Sequence, residues 1–131
     1  KRARKAARPE SEWKLVVRGD VQTYQCGLCV DDIVRLREDL VIRDHNGAPT
    51  GKVCLSGETW LVLPGSTDDP GIVWFRQEDG ELHTWTDTSD LWKHFERLER
   101  SENTQAIKQQ ILDNTSKYYD EFLRKWKQDA D

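Results

Sequence analysis

The sequence predicts an α+β domain: a small antiparallel sheet, SH3-like or half-barrel, followed by two C-terminal helices. Three observations carry this. Apolar residues alternate with polar ones through the middle of the chain, a turn signal comes after nearly every short apolar run, and the last third switches to helical spacing. The chain has 131 residues, the length of one domain with one modest core. Its expected organisation is a basic disordered tail or linker over 1–11 and a single domain over 12–131. The sheet is placed at 12–87 and the helices at about 89–100 and 104–127.

From the N-terminal side, Glu12 to Cys26 reads as a hairpin: Trp13, Leu15 and Val17 share one face, Arg18-Gly19-Asp20 makes the turn, and Val21 to Gln25 returns. The Arg-Gly-Asp triplet matches an integrin-recognition tripeptide, but a Gly-Asp turn explains those residues fully. Val34, Leu36, Leu40 and Ile42 then fall on even positions with charged residues between most of them, the period of a half-buried strand. Asp44-His45-Asn46-Gly47 turns the chain. Runs at 52–55, 59–63, 71–77 and 81–86 come next, punctuated by Ser56-Gly57, Pro64-Gly65 and Glu78-Asp79-Gly80. Ile72 and Trp74 oppose Val73 and Phe75, and Trp60 and Val62 oppose Leu61 and Leu63. These two strands are apolar on both faces, so they read as central strands covered from both sides.

The cover comes from the C-terminal third. Asp87-Thr88-Ser89 offers a cap, and Leu91, Trp92, Phe95 and Leu98 recur at helical spacing. After Ser101-Glu102-Asn103 a second helix starts. Ile107, Ile111, Tyr118, Phe122 and Trp126 recur at steps of four and seven. Tyr118, Phe122 and Trp126 lie four apart and stack along one side. They are expected to form a contact surface with the sheet or with another chain.

The order of strands, turns and terminal helical turn from Asp31 to Asp87 is similar to SH3-like small barrels such as Tudor and KOW modules. The similarity lies in pattern alone, and no functional positions are carried over.

Charge is divided. Lys1, Arg2, Arg4, Lys5 and Arg8 give the first eight residues +5, while the whole chain stands at −4. The acidic body repels phosphate, so nucleic-acid contact is expected, if anywhere, from that basic tail. No apolar run is long enough for a membrane span. Three cysteines and no export signal give an intracellular expectation, cytoplasmic or nuclear.

Chemistry concentrates in Cys26-Gly27-Leu28-Cys29. A zinc site would recruit His45 and Cys54, but that order lacks the second closely spaced ligand pair of common zinc modules, so no metal is expected. A redox pair would need a helix beginning at the motif. The remaining reading is two small residues flanking a turn at Gly27. Trp60, Trp74 and Trp85, with Phe75, Glu78 and Asp79 near, have the chemistry of a cage for a methylated ammonium, and equally that of core. His83, Trp85 and Asp87 share one strand face and bring an imidazole near a carboxylate. The sequence shows no nucleophile elbow, no phosphate loop and no cofactor signature. The function expected is a non-catalytic interaction module that binds a protein partner, or itself, through a barrel face carrying Trp60, Trp74 and Trp85 or through Tyr118, Phe122 and Trp126. The alternatives are a nucleic-acid-associated protein acting through its tail, and a thiol enzyme or zinc protein built on Cys26 and Cys29.

Overall fold

The computed structural model describes residues 21–130, with side chains to Lys125. The basic tail and most of the 12–26 hairpin lie outside the described residues. Among the described residues seven strands form two antiparallel sheets: β1 (Ile33–Leu36), β2 (Leu40–Arg43), β3 (Pro49–Cys54), β4 (Thr59–Leu63), β5 (Ile72–Gln77), β6 (Leu82–Thr86) and β7 (Phe95–Arg97). A 3-10 helix, Ser89–Lys93, precedes β7, and helix α1 spans Glu102–Ala130. The larger sheet runs β6-β5-β4-β1-β7, and β2 and β3 pair separately. Among the described residues the fold is therefore α+β, with an open sheet rather than a closed barrel and one α-helix rather than two.

The expected strand around Val34–Ile42 is two strands in different sheets. The chain turns at Arg37–Asp39, where the Asp39 carboxylate accepts the Ser56 amide and the Arg37 amide donates to the His94 carbonyl. The apolar parity survives because the turn takes up an odd number of residues. The helix expected at about 89–100 is also corrected. It stops after the 3-10 helix, and β7 takes the outer edge of β1, pairing Val34 with Arg97 and Leu36 with Phe95. Covering that apolar edge satisfies backbone groups that a helix there would leave open. The return strand expected at Val21–Gln25 is reduced to isolated bridges, Val21 to Gly65 and Thr23 to Cys29, because the chain turns where the Gly27 amide bonds the Tyr24 carbonyl.

Both faces of the large sheet are covered, as the two-sided apolar strands predict. Val34, Leu36, Trp60, Val62, Val73, Phe75, Leu91 and Phe95 form the main core. On the opposite face Ile33 and Leu61 meet Ile111 of α1, with Leu63, Leu98 and Ile107 around them. A reciprocal pair starts the helix: the Ser101 amide bonds Thr104 Oγ1, and the Thr104 amide bonds Ser101 Oγ. Gly80 lets the helix approach the β5–β6 turn; a Cβ there would stand 2.7 Å from the Asn114 carbonyl oxygen. Asn114 Nδ2 fixes the contact by donating to the Glu78 carbonyl at 2.7 Å. No described helix is long and apolar enough to cross a membrane.

Candidate functional site

The cysteine motif is a loop held by its neighbours. Buried Asp87 accepts the amides of Gln25 and Cys26 at 2.9 and 2.8 Å. Buried Asp32 accepts the Cys29 amide at 2.8 Å and is bridged to Arg100 at 2.9 Å. Trp92 Nε1 donates to the Cys26 carbonyl, and Arg97 donates to that of Gly27. The motif leads into strand β1, so no helix N-terminus activates a thiolate. Burial pushes the Cys26 thiol up to about 11, and Cys54, enclosed in the core, likewise to about 11. These are properties of structural thiols. Among the described residues no group of three His, Cys, Asp or Glu is arranged to hold a metal. His45 sits exposed in the β2–β3 turn.

The tryptophans do not assemble a cage. Trp60 is fully buried and packs edge-on to Phe75 and Phe95. Trp85 is half-buried against Phe95 and His94. Trp74 belongs to the alternate register of β5, opposite Val73 and Phe75. As a contact residue Trp60 is thus corrected to core, for the reason that a domain of this size needs its largest side chains inside. His83 does not pair with Asp87, whose carboxylate is engaged by the cysteine loop. Its partner is Glu81, two residues back on the same strand face.

His83 stacks on Trp60, centroids 4.7 Å apart. Its Nε2 lies 2.9 Å from Gln77 Oε1 and 3.0 Å from Glu81 Oε2, both acceptors, so that nitrogen carries the proton. Burial holds the imidazole below its ordinary value, with Glu81 opposing. Gln77 Nε2 donates in turn to Glu58 at 2.6 Å. Lys52 of β3 bonds Asp79 at 2.8 Å and also Glu81, tying the β2–β3 hairpin to the β5–β6 turn. Burial pulls the Lys52 ammonium down, but its two carboxylate partners outweigh that and raise it. Asp79 is lowered on balance, its burial offset by Lys52. The network contains no nucleophile beside the imidazole, and it braces structure.

Two surface features remain. Between β2 and β6 lies a groove of about 470 Å³, walled by Leu40–Arg43 and Leu82–Trp85, with Trp60 also lining it. At the other end of Leu82, Tyr118, Tyr119 and Phe122 line a second hollow of about 260 Å³ with Glu81. Arg76 anchors α1 there, donating to the Tyr119 hydroxyl at 3.1 Å and lying over its ring. Beyond it the helix leaves the body: every residue from Tyr119 to Lys125 is exposed, with Phe122 at 55% and Leu123 at 53%. Of the expected contact set, Tyr118 is half-buried beside the sheet and Phe122 is largely open, while the side chain of Trp126 lies outside the described residues. Arg76, Leu82 and Lys52 were missed from sequence; the two-residue spacing of Glu81 and His83 is the signal that could have found the network. Compared with known protein families, curated proteins and solved structures, the chain matches none.

Proposed function

We propose that this protein is a non-catalytic interaction module of SH3-like design, and that it binds a protein partner through the outer half of α1. The strand-and-turn order from Asp31 to Asp87, with a 3-10 helix before the last strand, supports the SH3-like reading. The observation that supports the function is the apolar stripe that the described residues leave uncovered. Tyr119 (41%), Phe122 (55%) and Leu123 (53%) stay exposed where the helix passes the edge of the sheet, continuous with exposed Leu82. A helix of 29 residues spans about 43 Å at 1.5 Å per residue, more than a small sheet can cover. An apolar face of that kind on a charged body marks an interaction site, and a helix face laid into a partner's groove is a recurrent mode of recognition.

A second reading, self-association, rests on spacing. Leu112, Tyr119 and Trp126 recur seven apart with Phe122 between the last two, a short heptad seam. A photo-crosslinking residue at position 123, installed in the full chain in its native cells, tests the proposal. A discrete heavier adduct is expected there and not from the same probe at exposed Gln109. An adduct of twice the chain mass assigns the seam to self-association. No adduct from position 123 contradicts the proposal.

A further inference from the structure

An open seam lies between the two sheets. A strand that shows one face to a cavity contributes every second residue to its lining. Here Leu40–Arg43 and Leu82–Trp85 contribute consecutive residues, so both strands turn their edges to the groove. The ladder of β6 fixes which backbone groups these are. Gln77 donates to the Glu81 carbonyl at one end of the β5–β6 pair, and Asp87 donates to the Gly71 carbonyl at the other. Both are odd-numbered on the β6 side, so His83 and Trp85 bond inward to β5. Leu82 and Thr84 therefore aim their amides and carbonyls outward, and among the described residues nothing accepts from or donates to them. β2 is likewise unpaired on the side away from β3 among the described residues. Lys52, bound to Asp79 and Glu81, holds the hairpin across from β6.

We propose that the seam between β2 and β6 is a binding site for a single extended peptide segment, which enters as an extra strand and hydrogen-bonds to the edge of β6 and to that of β2. The two-walled geometry selects this occupant. A second copy of the protein would offer its own β6, but that strand is already backed by β5 and has one free edge, so it would leave β2 unsatisfied. A lone strand has two free edges and meets both walls. Leu40, Ile42 and Trp85, all partly buried against the core, favour alternate apolar side chains on the entering segment. This site adjoins the α1 surface at Leu82, but it rests on the two strand edges and not on the helix.

The test uses the full chain and an acetylated, amidated peptide of alternating valine and threonine with a lysine at each end. Binding is read by anisotropy and by hydrogen exchange at Leu82 and Thr84. The peptide is expected to bind and to slow exchange at those two amides. The same peptide N-methylated at every second residue is expected to bind roughly tenfold more weakly or not at all, because one of its edges is blocked. Thr84→Pro, which removes an outward donor and spares the ladder to β5, is expected to weaken the parent peptide similarly. If that variant does not fold, the N-methylated peptide still decides. Equal binding of the two peptides, or binding of neither, overturns the proposal. So does protection of Leu82 and Thr84 in the free protein: at all concentrations it means that the chain's own residues fill the seam, and with rising concentration it means that a second copy does.

Discussion

Asp87 connects two parts of the chain that are far apart in sequence, accepting the Gln25 and Cys26 amides from a buried position. Asp87→Ala leaves both donors without an acceptor and is expected to cost about 3 kcal/mol, read as a lower urea midpoint. The same loop makes Cys26 inert. With its thiol near 11, alkylation at pH 8 is expected to be slow at Cys26 and at Cys54 until the protein is unfolded. His83 gives the pH dependence. Its folded value lies below the ordinary 6.5, chiefly through burial, so the unfolded state binds the proton more readily. Stability is then fully present above 6.5 and falls as the pH drops from 6.5 towards the depressed folded value. Urea midpoints measured from pH 7.5 down to 5.5 should decline in the parent and flatten in His83→Gln. At this scale the sequence was a partial guide. The Cys-x2-Cys loop was legible as a turn because Gly27 has a φ of 103°, which suits glycine. The Asp87 contact was not legible, because its donors lie across the fold and no local pattern encodes them.

The elements were read best where one period holds throughout. Strands β4, β5 and β6 fall within a residue of their expected limits, since each is a short run bounded by turn signals. The residues 89–100 misled because Leu91, Trp92, Phe95 and Leu98 fit helical spacing, while pairing with the free edge of β1, a non-local demand, decided the structure. For α1 the periodicity was correct and its consequence incomplete: the stripe continues past the sheet that covers its first half. This divides the helix energetically. Ile111, 1% exposed between Ile33 and Leu61, should lose about 2–5 kcal/mol on truncation to alanine. Gly80→Ala forces both a left-handed backbone (φ of 100°) and a 2.7 Å contact with α1. It is expected to destabilise the protein and to speed exchange in the helix around Asn114, a coupling that amide exchange by NMR reads directly.

At the scale of the whole molecule, a doubly covered sheet stands beside an apolar helix surface that the described residues leave open. The body is the doubly covered sheet, closed on one side by the main core and on the other by the first half of α1. Sequence could predict the α+β class because alternation and helical spacing are local. It could not tell which aromatic residues stay outside, since Trp60 and Phe122 look alike until the sheet shows which of them it encloses. The double variant Phe122→Ser with Leu123→Ser, compared with the parent in urea unfolding, tests the division most directly. A loss under about 1 kcal/mol is predicted, as for exposed positions away from packed contacts. A loss of the size expected for Ile111→Ala would contradict it, placing the stripe in the chain's own core rather than on a binding surface.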